Sequence, residues 1–231
     1  MFKENTIIEV RRDLKATVSA YMAKSAREIP VCISNGNRKI GKVMNFSLAP
    51  IITCGKQCKY CQYYCYDVKA CKQYPNTVID ARARNTALMR MDRDYLFSAI
   101  DAKMSRRKTN KFFRWHVAGD IVDMDYFVRM VENARNHPDF VIWTYTKQYH
   151  IVNEYCEKYG KDSIPSNFTI MFSEWRGLPM VNPFGFPEFR VIFKGEETPK
   201  DVTWVCPGNC DICKACHRGC VANETTHAHE H

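Results

Sequence analysis

Apolar side chains recur at helical spacing over residues 8–25 and then give way to 30–41, where SNGNRKIG marks a turn or hairpin. An apolar run over 45–53 leads straight into a cysteine-rich loop closed by Pro75 and Asn76. Residues 77–91 and 92–107 read as two helices, the second with Asp92 as its N-cap. Strands are predicted at 111–118, 140–146 and 167–173, separated by helices at 123–136 and 150–159 that stop at His137-Pro138 and Gly160. A Gly/Pro-rich loop over 177–187 replaces the next helix, and strands at 189–193 and 202–205 follow.

Six strands joined largely by helices predict an α/β fold, either a parallel sheet or an open, partial βα barrel with right-handed crossovers. A helix and hairpin over 1–44 would precede a single α/β domain over 45–231. In such folds the loops leaving the carboxyl ends of the strands build the site. Both cysteine groups follow a strand directly, which places both at one mouth, with 177–187 either a lid over it or plain surface.

A composition of 45% hydrophobic and 26% charged residues describes an ordinary globular protein. The start, MFKENTIIEVRRDLK, lacks the apolar run of a signal peptide, and no segment reaches the roughly 18 apolar residues of a membrane span. The reading is therefore a cytoplasmic protein with no membrane partner. The net charge of +9 makes nucleic acid a candidate partner, although the bases are spread along the chain and the densest run is Arg106, Arg107, Lys108.

Ten of the twelve cysteines form two groups: Cys54, Cys58, Cys61, Cys65, Cys71 and Cys206, Cys210, Cys213, Cys216, Cys220. Thiolates two or three residues apart in a loop can converge on one soft metal centre. A chain of 231 residues buries enough core to do without a disulfide framework. The expectation is two 4Fe-4S clusters held by Cys54, Cys58, Cys61, Cys65, Cys206, Cys210, Cys213, Cys216 and Cys220, with structural zinc as the alternative. Two such clusters with thiolate ligands would cut the positive excess to about +5. Cys32 and Cys156 stand alone and read as buried thiols.

Cys54-x3-Cys58-x-Tyr60-Cys61 resembles the signature of the radical S-adenosylmethionine enzymes. That resemblance implies a partial barrel of six βα units, three thiolates holding a 4Fe-4S cluster, and an open iron that chelates S-adenosylmethionine. Ala118-Gly119-Asp120 stands where that family carries a Gly-Gly-Glu-like segment, and Cys65 is a further thiol able to close the open iron. Cys210-x2-Cys213-x2-Cys216-x3-Cys220 matches the bacterial ferredoxin run except for Val221 in place of proline. A wider set of motifs comprises Thr53-Cys54, Cys65-Tyr66, Arg84-Asn85, Arg114-Trp-His116-Val-Ala-Gly119-Asp120, Tyr126, Tyr145-Thr-Lys147, Cys206-Pro207 and Cys213-x2-Cys216. Together with the histidine-bearing end, these resemble the bacteriophage gene-88-product family over roughly 45–231. In that pattern Cys54, Cys61 and Cys65 are the corresponding thiols and Cys58 is extra.

Polar residues gather at the predicted strand ends: His116 and Asp120, then Tyr145 and Lys147, then Ser173, Glu174 and Arg176. His116, Asp120, Tyr145 and Lys147 are candidate catalytic residues, and Gly119, Ser173 and Glu174 candidate cofactor contacts. The bland alternative is that His116 and Tyr145 are satisfied core groups and that Lys147 and Glu174 are solvated. The HAHEH end carries His227, His229 and His231, and is expected to be disordered or to lend a ligand. Tyr60, Tyr63, Tyr64 and Tyr66 could shield a cluster or stack on bases. Three functions follow: a radical S-adenosylmethionine-like enzyme served by an electron-donor protein, a non-enzymatic electron carrier, or a nucleic-acid-binding protein with structural clusters.

Overall fold

A computed structural model describes residues 3–36, 40–55, 59–200, 202, 205–208 and 225–229, with 59 and 60 through their backbone alone. The first helix, α1 (Glu4–Met22), buries Ile7, Val10, Leu14 and Val18, apolar positions three or four apart that form one face. Two short helices, α2 (Lys59–Tyr64) and α3 (Tyr66–Gln73), stand where a cysteine-rich loop was expected. No glycine or proline interrupts 59–73, so nothing local stops the backbone from coiling. One π turn, Pro75–Ile79, feeds α4 (Asp80–Met91), and α5 (Arg93–Ser105) follows with Asp92 accepting a hydrogen bond from Tyr95 N at its start, as predicted.

The sheet has six parallel strands in sequential order, curled into a half-barrel: β1 (Met44–Asn45), β2 (Phe112–Trp115), β3 (Val141–Thr146), β4 (Phe168–Ser173), β5 (Glu188–Ile192) and β6 (Thr226–His229). Helices α6 (Met124–Asn136) and α7 (Tyr149–Tyr159) join β2 to β3 and β3 to β4. The register aligns Phe113 with Ile142 and Ile142 with Phe168. That face of the sheet packs under Leu96 and Phe97 of α5, Met130 of α6 and Val152 of α7. The alternate positions Phe112, Trp143 and Met171 face the other way, onto the concave side, where Ile40 and Val43 join them. With both faces covered, every residue of β4 is buried.

The sixth strand departs from expectation. Val205, in the predicted strand over 202–205, makes a single bridge to His227, whereas the histidine-bearing end supplies β6 itself. Thr226 and Ala228 are 3% and 5% exposed, while His227 and His229 occupy the alternate positions. The tail therefore has the period-2 alternation of a strand, and the unpaired N–H and C=O groups along β5 supply the edge it completes. The first strand is short for a related reason. Regular pairing stops at Asn45, after which Phe46 N donates to Arg114 O at 3.2 Å and Leu48 N to Ala118 O at 2.9 Å in a looser extension.

Asp123 secures the helix that follows β2. Its Oδ1 accepts from Tyr126 N at 2.9 Å, capping α6, and its two oxygens take Arg93 of α5 at 2.7 and 2.6 Å. Burial alone would push its carboxyl up, but Arg93 and the Tyr126 N–H hold it below the usual carboxylate range. Asp123→Ala should cost about 1–2 kcal/mol by urea unfolding at neutral pH. Because the folded-state pKa is depressed, that difference should be full above the ordinary carboxylate range and vanish as pH falls through the folded value. For β6, Ala228→Asp places a charge at a buried inward position and should cost about 3 kcal/mol or more, against about 0.5 kcal/mol or less for His229→Asp. Equal unfolding midpoints for those two variants would contradict the strand.

Candidate functional site

The carboxyl ends of β1–β4 meet at one mouth, and its walls are set by buried polar groups. Asn85 of α4, 1% exposed, accepts from Cys32 N at 2.9 Å and donates to Cys32 O at 2.8 Å and Ser47 O at 2.9 Å. Next to it Ala49 N donates to Thr86 Oγ1 at 2.8 Å, so α4 grips the chain leaving β1 at two points. Beside Asn85, Arg84 stacks on Tyr21 of α1 and pairs with Asp80. The Arg84-Asn85 motif thus braces the scaffold and stands behind the site. Gly119 packs against the same segment: a Cβ there would come within 2.7 Å of Leu48 Cβ and 2.8 Å of Thr53 Oγ1, and its φ of 78° favours glycine. Gly119 is thereby a close-approach residue, and Thr53 Oγ1 donates to Ala49 O at 2.6 Å to hold the turn it faces.

Asp120 ties the exit of β2 to the exit of β3. Its Oδ1 accepts from Thr146 Oγ1 at 2.6 Å and Ile121 N at 2.8 Å, and its Oδ2 from Lys147 N at 2.9 Å. Burial raises the Asp120 carboxyl, and these three donors, with the Lys147 charge, work against that rise. Thr146 Oγ1 also accepts from Gln148 N at 2.9 Å, and the Gln148 amide donates to Cys54 O, joining the β3 exit to the first cysteine loop. Gly55 leaves room for that contact, since a Cβ there would lie 2.5 Å from Gln148 Oε1.

With its backbone held, Lys147 carries its ammonium to the rim. Nζ donates to Ser173 Oγ at 3.1 Å and lies 5.5 Å from the centroid of the Trp175 ring. Tyr64, from the end of α2, reaches the same tryptophan at 6.3 Å between ring centroids. The Trp175 indole nitrogen is shielded and has no hydrogen-bond acceptor among the described residues. Ser173 O accepts from the Tyr149 hydroxyl, which fixes the end of β4 to α7. Glu174 N donates to Phe189 O at 2.9 Å and continues the β4–β5 pairing.

His116 is a core group. It is 3% exposed, sits at φ 53°, contacts the Tyr126 hydroxyl through Nε2 at 3.0 Å, and packs in a ring cluster with Trp115. Burial, helped by the Arg114 charge, pushes its pKa down to about 3, so it stays neutral. Tyr145 lies on the concave face, where Arg114 stacks over it at 4.7 Å and Phe189 meets it edge-on at 5.0 Å. Tyr66 is 48% exposed. Burial pushes its phenol up, and the charge of Arg114 works against that rise.

Of the first-group thiols, Cys54 lies in the loop after β1, Cys61 in α2, Cys65 at the start of α3 and Cys71 within α3. Cys54 feels the charges of Cys65, Asp120 and Cys61, which puts the three thiols in one neighbourhood, but burial is the main influence and keeps Cys54 protonated. Burial likewise raises Cys65 to about 11 and Cys71 to about 12. Cys71 is enclosed with Val10, Leu14 and Val68, and Cys65 packs against that cluster. Cys206 stands beyond β6, its N–H donating to His227 O at 2.7 Å, at the far end of the strand order from Cys54. Cys58, Cys210, Cys213, Cys216, Cys220 and His231 lie outside the described residues.

These positions correct the expected iron-sulfur function. Among the described residues no three Cys, His, Asp or Glu side chains are grouped as a set of metal ligands. The physical reason is that α2 takes up Cys61 and α3 takes up Cys71 with Cys65 as its cap, and the apolar cluster under α1 uses Cys65 and Cys71 for packing. The radical-enzyme, electron-carrier and structural-cluster readings lose their metal, while the basic balance and the tyrosines that also suggested nucleic acid are untouched by this correction.

The model of the Gene product 88 family matches residues 15–176, a span that contains the α1–α4 brace, the Asp120 latch and Lys147. The chain belongs to the Gene product 88 family. Neither a curated protein nor a solved structure matches it. No helix among the described residues is long and apolar enough to cross a membrane.

Within this Gene product 88 chain the structure brings together Gly119, Asp120, Lys147 and Ser173, sets Tyr145 deeper on the concave face, and removes His116 to the core. Sequence reasoning passed over Thr146, Gln148 and Trp175. Two of these flank Lys147 and the third lies two residues beyond Ser173, so adjacency to the strand ends was the available signal. Arg114 and Asn85 did appear in the family motifs, without a role. Asn85→Asp should turn a donating amide against two carbonyls and cost about 3 kcal/mol or more, while Asn85→Ala should cost about 2 kcal/mol, both measured by chemical denaturation. A neutral Asn85→Asp would refute the brace.

Proposed function

We propose that the mouth of the half-barrel binds a small anionic or zwitterionic molecule, with Lys147 as its counter-charge. The observation that carries this reading is the state of the Lys147 ammonium. It is held at the carboxyl end of a parallel sheet by a hydroxyl and a tryptophan face, two neutral partners that orient it, with the Asp120 carboxyl acting on the same charge from the backbone side. Open α/β sheets bind ligands at that edge because loops from several strands converge there. Two further features support a site. Ile51 at φ 69° and His116 at φ 53° keep left-handed backbone in the loops after β1 and β2, a cost that structures tend to carry where geometry matters. Asp120 is spent on positioning, so its part is to fix Lys147 and not to touch ligand.

S-adenosylmethionine carries a net positive charge from its ammonium and sulfonium and enters the comparison only through the carboxylate of its methionine end, whose contact with Lys147 requires no cluster. The reading is tested by isothermal titration of the full chain with inorganic pyrophosphate and with S-adenosylmethionine. Lys147→Met should weaken whichever probe binds by about tenfold or more, with the unfolding midpoint unchanged, since a charge-assisted contact contributes about 1.5–3 kcal/mol. Equal affinity in both proteins, or no binding of any anionic probe, would remove the mouth from consideration.

A further inference from the structure

We propose that the amino end of the half-barrel, opposite the Lys147 mouth, binds the phosphate backbone of a nucleic acid through Lys42, Lys103, Arg106 and Lys108. This surface is independent of whatever ligand the mouth takes.

The two longest stretches of the chain without Asp or Glu are residues 29–66 and 102–119. They hold eleven of the 34 bases and none of the 25 acids, so the rest of the chain has more acids than bases and the whole net charge of +9 originates in these two stretches. The fold lays them side by side. β1 belongs to the first and β2 to the second, and Met44 pairs with Phe113 in parallel, so the segments entering the two strands run together at the amino end of the sheet. Arg107 fastens one to the other, its guanidinium donating to Lys42 O at 3.0 Å, Asn35 Oδ1 at 3.4 Å and Thr109 O at 2.9 Å.

Arg107 is thereby spent on its own loop, and Lys111 pairs with Asp139. Lys42, Lys103, Arg106 and Lys108 remain exposed and make no ion pair among the described residues, whereas acids elsewhere hold Arg82, Arg84, Arg93 and Arg129. Lys103 and Arg106 complement the carboxyl end of α5, but Lys42 and Lys108 lie outside its last turn, so the helix end does not account for the cluster. The turn before Lys42 is tightly closed: Gly36 sits at φ 118°, and a Cβ there would lie 1.8 Å from Gly41 O. Backbone already set in this way lowers the ordering cost of association.

The neutral groups among the bases select the partner. Exposed Ser105, Thr109 and Asn110 supply hydroxyls and an amide, which with lysine and arginine are the groups that contact phosphate oxygens. Over 102–111 no large apolar side chain is exposed, so the surface lacks what a membrane-bound face inserts among lipids. The same segment has no aromatic ring on which a single strand could stack its bases. What the surface can reach is the charged backbone of a duplex, contacted without regard to sequence.

The test is fluorescence anisotropy of the full chain with a labelled duplex of mixed sequence, about 20 base pairs long, between about 50 and 200 mM salt. With four bases on phosphates, the logarithm of affinity should fall against the logarithm of salt with a slope of about −3 to −4. The double substitution Arg106→Gln, Lys108→Gln should bring the slope to about −2 and weaken binding by about tenfold or more at the low-salt end, with the unfolding midpoint unchanged. Lys69→Gln, which removes the same charge from an exposed position on α3, should leave the slope as it was. A slope unaltered in the double variant, or lowered as much per charge by Lys69→Gln, would overturn the surface. Polyglutamate or phosphatidylserine vesicles held as tightly as the duplex at equal salt would overturn nucleic acid in favour of an acidic protein or a membrane face. A single strand of equal length bound more tightly than the duplex would overturn the backbone contact. Absence of duplex binding at the lowest salt would remove the proposal, whatever anions bind at Lys147.

Discussion

A buried carboxylate holds the mouth of this half-barrel together. Asp120 spends both oxygens on donors from the neighbouring strand exit and from its own backbone, and Thr146 passes the connection on to Gln148 and so to the loop of Cys54. Burial opposes the charge, and its donors make the burial tolerable. Without that latch the β2 and β3 exits would keep the β2–β3 strand pairing that ends at Trp115 and Thr144 and the longer Thr144–His116 contact at 3.4 Å. The placement of Lys147, and through it Ser173, depends on the latch, so the recognition proposed for the rim has its origin in a residue that never meets ligand.

The same region carries much of the unusual backbone. Ile51, Gly55, His116 and Gly119 all have positive φ, and they fall in the loops after β1 and β2. At the two glycines the missing Cβ also avoids a collision, with Gln148 in one case and with Leu48 and Thr53 in the other. At Ile51, a β-branched residue, it is a real steric cost, borne by the packing of α1, α3 and α4 around the loop. Rigid scaffold on one side and strained loops on the other is the arrangement by which a site is positioned more accurately than loop chain alone allows. The amino-terminal helix belongs to that scaffold, since Val10 and Leu14 share a cluster with Ala49 of the first loop.

How much of this was legible depends on the range of the forces involved. Asp92 as a cap, Gly160 as a stop, and the strands over 140–146 and 167–173 are local signals, governed by sterics and hydrogen bonds over a few residues, and they read true. The family resemblance was legible too, because its motifs survive as short strings. The thiols misled because spacing in sequence was taken for convergence in space. Cysteine is equally a small apolar side chain, and under α1 that use prevails. For His116 the strand-end position was legible, while its left-handed backbone and its contact with Tyr126 were not.

By itself the chain's sequence determined the order of helices and strands from α4 to β5, the parallel α/β class and the edge of the sheet at which polar residues gather. Each follows from side-chain periodicity and from the short connections that right-handed crossovers require. Tertiary structure alone decided that the histidine-bearing end is a strand, that Asp120 positions and Lys147 is presented, and that Arg114 stacks on Tyr145. Those outcomes rest on which distant group supplies a hydrogen bond, a ring or an open edge, and no local pattern encodes a partner whose place is set by the packing of the rest of the chain.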